Sequence, residues 1–60
     1  MFNHIFENWH FWQGSQFMAS DESRKRLLSF PDVDACVNWL FVNGHKEAAR
    51  DLNRAERLAA

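Results

Sequence analysis

His4, His10 and His45 with Cys36 could in principle bind zinc, and Cys36 could also serve as a nucleophile. The spacing supports neither chemistry. His4 and His10 stand six apart and would leave a helix on different sides, whereas zinc needs ligands that converge. Cys36 falls in a stripe with Val33, Val37, Leu40 and Phe41, where a thiol packs as a small hydrophobe. No His and acid pair is placed to activate it, and no nearby cation would lower its pKa. Asp32 and Asp34 could be read as a general acid and base, but two carboxylates just after Pro31 are better explained by the start of a helix. The sequence therefore predicts a protein that is not an enzyme, with no catalytic, cofactor-binding or metal-binding residues.

Two groups of cations remain, and their chemistry would be contact with phosphates or acidic partners. Lys46, Arg50, Arg54 and Arg57 fall along one stripe of a helix, with Glu47, Asp51 and Glu56 interspersed. Arg24-Lys25-Arg26 forms a second cluster that a helix C-terminal dipole would accommodate. A formal charge of −1 gives no overall attraction to nucleic acid or acidic membrane. A helix-turn-helix-like DNA-binding regulator is the alternative reading, since Val33 to Leu58 reads as helix, glycine-containing turn and helix. Against it, Arg50 lies where the second helix would need an apolar residue, and the first helix is apolar on several sides.

The elements that would position these groups are read as helices throughout. Phe2, Ile5, Phe6, Trp9 and Trp12 follow the i, i+3, i+4, i+7 rhythm of an amphipathic helix over about residues 2–13, ended by Gly14-Ser15. A short helix is expected over about residues 20–29, with Ser20 as N-cap and Asp21 and Glu22 in its first turn. Pro31 opens a third helix, about Asp32 to Val42, which is apolar nearly all round and is stopped by Asn43-Gly44. The fourth, about Lys46 to Leu58, has a narrow face of Ala48, Ala49, Leu52, Ala55 and Ala59. No stretch reads as a strand. The expected fold is all-α, a single small domain over residues 1–60 with three to four short helices, ending in a helical hairpin over about residues 32–58.

Size argues for assembly. A chain of 60 residues hides only ~60% of the surface it exposes when unfolded, and three Trp and six Phe are a large aromatic load for so small a core. One cysteine excludes an internal disulfide, which leaves oligomerisation as the means of gaining stability. A homodimer is expected, with Phe2, Ile5, Phe6, Trp9, Trp12 and Trp39 at the dimer or partner interface. The N-terminus lacks a basic start followed by an apolar run, and no stretch approaches the ~20 apolar residues that span a bilayer, so a cytoplasmic setting is expected. An interfacial membrane helix would carry basic residues on its polar side, but the first Lys or Arg is Arg24.

The stretch from Phe30-Pro31-Asp32 through Trp39-Leu40, Asn43-Gly44 and Ala48-Ala49-Arg50 resembles small early-region accessory proteins of lambdoid temperate phages. The resemblance rests on a Trp-Leu helix, an Asn-Gly turn and an Ala-Ala helix, and covers under half the chain. It implies a modulator of host or developmental processes acting by contact with host or phage proteins. With the residue pattern, it gives the expected function: a small regulatory or adaptor protein working by protein-protein contact.

Overall fold

The computed structural model describes residues 2–59, the last by its backbone alone, and in its first half the governing pattern is alternation. Strand β1, Asn3–Phe6, half-buries His4 and Phe6 and exposes Asn3 and Ile5. Strand β2, Trp9–Gln13, buries Trp9 and Phe11 while His10 and Trp12 point the other way. Strand β3, Phe17–Asp21, buries Phe17, Ala19 and Asp21. Strand β4, Arg26–Phe30, places Leu28 and Phe30 on that same covered side. The strands pair in chain order as an antiparallel meander, and two helices, α1 at Val33–Val42 and α2 at Lys46–Ala59, follow.

This α+β architecture overturns the all-α expectation, and the reason for the error is local. A two-residue turn at Glu7-Asn8 pairs Phe6 with Trp9, so two residues on one side of the sheet stand three apart in sequence. Alternation separates Phe2 from Phe6 by four. A tight hairpin thus imitates the i, i+3, i+4 rhythm of a helix, and the aromatic residues that write it favour strands. Trp9 and Trp12 would share a helix face but lie on opposite faces of β2. Glu7 accepts φ of 52° to make the turn.

The expected helix over residues 20–29 is also replaced, by the end of β3, a turn and β4. Asp21 Oδ1 accepts from the backbone N–H of Ser23 at 3.1 Å, from its hydroxyl at 2.9 Å, and from the Arg24 N–H at 3.4 Å. These bonds fix a turn instead of a first helical turn. Lys25 completes it at φ of 55°. Ser20, expected as an N-cap, donates its hydroxyl to Glu22 Oε2 at 2.7 Å.

Helix α1 begins after Pro31, where Asp32 Oδ1 accepts from the Ala35 N–H at 2.8 Å. It ends with Gly44 at φ of 84°, the Gly44 N–H bonding to Phe41 O and the His45 N–H to Leu40 O. That pair of bonds is a Schellman motif, which needs the left-handed glycine. Only Cys36 and Leu40 of α1 are fully buried, and Val42 is 75% exposed, so α1 lies on the surface of the sheet and not in the middle of a bundle. In place of a terminal hairpin completing an all-helical fold, α1 covers β3 and β4 while α2 covers β1. Ala48 and Ala49 let α2 approach closely, and with Leu52 they close a core over Trp9, Phe11, Phe17 and Ala19. The side chain of Ala59, expected on that narrow face, lies outside the described residues. A hydrogen bond between His4 Nε2 and Asp51 Oδ2 joins β1 to α2.

Candidate interaction face

Both helices lie on one side of the sheet, so its other side is open. Strand register arranges eight outward residues in two rows across the strands. One row reads Asn3, Trp12, Met18, Ser29, and the other Ile5, His10, Ser20, Leu27. None of these eight described residues is Asp, Glu, Lys or Arg. Ile5 is 70% exposed and Leu27 63%, at the two edges of the sheet. Trp12 and His10 lean together with ring centroids 4.7 Å apart, and His10 Nε2 donates to Asn3 Oδ1 at 2.7 Å. Beside them opens a cleft of about 360 Å³ bordered by Phe2, Gln13 and the Trp12 ring.

The structure divides the residues expected at an interface. Ile5 and Trp12 are on the open face, whereas Phe2, Phe6, Trp9 and Trp39 belong to the side covered by the helices. Trp9 is 6% exposed, stacked on Phe11 at 5.6 Å and edge-on to Trp39 at 6.4 Å. Phe2 meets Phe17 at 5.7 Å. Met18 and Leu27 are the open-face residues that helical reading missed. Alternation within Trp9-His10-Phe11-Trp12 and Phe17-Met18-Ala19 was the signal that could have found the face.

The cations lie elsewhere. Lys46, Arg50, Arg54 and Arg57 are exposed on α2, on the side turned away from Ala48, Ala49 and Leu52. Arg24 and Arg26 gather at the end of the sheet around Asp21, at 3.6 and 3.9 Å from its Oδ2. Arg26 also lies over the Trp39 ring at 5.5 Å, and Arg24 Nη1 is 3.4 Å from His45 Nε2. Burial alone would raise the Asp21 carboxyl, but the Ser23 hydroxyl, the Arg24 and Ser23 N–H groups and the Arg24 charge together hold it below its ordinary value.

The chain matches no family model, no curated protein and no solved structure.

The metal-ligating residue types are not brought together. His4 is paired with Asp51, His10 with Asn3, and His45 packs between Trp9 and Trp39 at 5.3 and 5.9 Å. Among the described residues no three His, Cys, Asp or Glu side chains form a cluster that could hold a metal ion. Cys36 is buried, and desolvation pushes its thiol up to about 12, which leaves it protonated and a poor nucleophile. Asp32 is the N-cap of α1. Among the described residues no helix is long and apolar enough to cross a membrane.

Proposed function

We propose that this chain is a non-enzymatic protein-contact module, regulatory or adaptor in role, whose working surface is the open face of the sheet. One observation carries the reading: Ile5, Trp12, Met18 and Leu27 all face outward on the uncovered side of the sheet, where none of the eight outward strand residues is Asp, Glu, Lys or Arg and the nearest carboxylate, Glu22 bonded to Ser20, stands just past the end of β3. Apolar side chains gathered on one uncovered face of a small protein, Trp12 beside Met18 with Ile5 and Leu27 at the two edges, mark a site of association. The centres of protein interfaces are depleted in charge and enriched in aromatic residues and Met, the composition found here. The resemblance of residues 30–50 to phage accessory proteins fits the same reading, because it implies action by contact. A cytoplasmic setting fits it too, since an unpaired thiol such as Cys36 stays reduced there.

The exposed stripe Lys46, Arg50, Arg54 and Arg57 supports a second reading, contact with nucleic acid through α2. Photocrosslinking separates the two. A benzophenone amino acid in place of Trp12 is expected to give adducts with protein inside cells, and one in place of Arg54 is expected to give none. Nucleic-acid adducts from position 54, with no protein adducts from position 12, would replace the first reading by the second.

A further inference from the structure

Resting on the reading of the open face as a contact surface, the geometry points to its partner: a second copy of this chain, stacked sheet on sheet about a two-fold axis parallel to the strands. The axis passes between β2 and β3. It lays β1 of one copy over β4 of the other and β2 over β3.

The register shows why this axis and not another. In the first row Trp12 then meets Met18 and Asn3 meets Ser29; in the second, Ile5 meets Leu27 and His10 meets Ser20. Apolar groups meet apolar groups at every position, and polar groups meet polar groups. A two-fold axis lying across the strands would instead set Ile5 on Asn3, Trp12 on His10, Met18 on Ser20 and Leu27 on Ser29, covering each apolar side chain with a polar residue. Of these two axes, only the one along the strands makes the sheet self-complementary.

Three further properties favour a copy of this chain as the occupant. A two-fold contact brings identical surfaces together, so any net charge on the patch would repel its own image; these eight residues carry no Asp, Glu, Lys or Arg, and the one carboxylate bonded to them, that of Glu22 on Ser20, stands past the end of β3. Sheets packed face to face keep their strands within ~30° of alignment, close to what this axis imposes. The Trp12 ring at the centre meets the Met18 thioether, a favourable sulfur-aromatic contact.

The footprint is small. Four strands ~4.8 Å apart, each offering two outward residues, cover only a few hundred Å². That lies below the ~1,000 Å² that a stable interface clears, so the pair is weak and should form only toward roughly 100 µM, well above low micromolar concentration.

The test uses charges at the rim. Ile5 and Leu27 are exposed in the single chain, so Ile5→Lys and Leu27→Glu leave the core untouched, as circular dichroism will verify. In sedimentation equilibrium from ~1 to ~200 µM, the unmodified chain should move from monomer to dimer. Each single variant should weaken the dimer at least ~10-fold, because it sets a charge on an apolar side chain. The double variant, Ile5→Lys with Leu27→Glu, sets an ammonium against a carboxylate at both ends of the pair and should recover to within ~3-fold of the original. A chain that stays monomeric throughout, single variants that dimerise normally, or a double variant that fails to recover would each overturn this pairing. A monomeric chain that still crosslinks other proteins through position 12 would overturn the pairing alone and leave the contact reading standing. The absence of any protein adduct at that position would remove the reading as well.

Discussion

Trp9→Ala and Trp12→Ala should differ sharply in their effect on stability, although the two rings are three residues apart. Trp9 is 6% exposed, stacked on Phe11 and edge-on to Trp39 and His45, so truncation removes its burial and leaves a cavity among rigid neighbours. Losses of this kind run to ~3–5 kcal/mol. A domain of 60 residues is stabilised by roughly 3–9 kcal/mol in total, so Trp9→Ala should leave little or no folded population. With a urea slope near ~1 kcal/mol/M for so small a chain, its midpoint falls by ~3 M or more. Trp12 lies half-covered on the open face and touches His10, so its removal from the monomer should cost under ~1 kcal/mol. The assay is urea unfolding followed by far-ultraviolet circular dichroism at low micromolar concentration, where self-association does not contribute. Trp9→Phe keeps an aromatic ring in the site and provides a folded comparison. Equal losses from Trp9→Ala and Trp12→Ala would refute the assignment of the two rings to opposite faces of β2.

Acid should loosen the turn at Asp21. Its carboxyl is held below the unfolded value of 3.8, so its stabilising contribution is complete above that pH and disappears as pH falls through the lower folded value; urea midpoints between ~pH 5 and ~pH 2 should show this loss, and Asp21→Asn should flatten it. Cys36, buried with its thiol pushed up to about 12, should resist iodoacetamide at pH ~8 in the folded chain and react fully in urea. Fast alkylation of the native chain would place it at the surface. Replacing Arg50, Arg54 and Arg57 together by Gln should change stability by no more than ~0.5 kcal/mol, since all three are exposed and Gln keeps helix propensity. The unmodified chain should show no duplex binding at physiological salt; a submicromolar complex that weakens steeply with salt would make α2 the functional surface.

The second half of the chain is legible because its signals are chemical and local. Pro31, the Asp32 cap and Asn43-Gly44 each demand a particular backbone conformation, and α1 starts and stops at them. The first half is not legible by periodicity, since hairpin and helix produce the same spacing at Phe2, Phe6 and Trp9. Deciding between them required weighing the strand preference of Phe, Trp and Ile above the rhythm. The run Ser20 to Arg26 offers the same acids and hydroxyls to an N-cap or to a turn, and only pairing of β3 with β4 selects the turn. Ile5 and Trp12 were expected in an interface as parts of one aromatic stripe, and the face they occupy could not be drawn until the strand register joined them to Met18 and Leu27.

The meander order of the sheet also sets how the chain can assemble. Each strand pairs with its immediate successor, so every ladder closes a loop of only a few residues, at small entropic cost and on the microsecond scale of isolated hairpins. Helix α2 is different, because it must return across nearly the whole chain to meet β1, where Asp51 reaches His4. That docking is the one step that scales with chain length, and it makes folding a race between fast local zipping and a single late clasp. Weakening the clasp at Asp51 should slow or loosen the final closure while leaving the hairpins to form at their own speed.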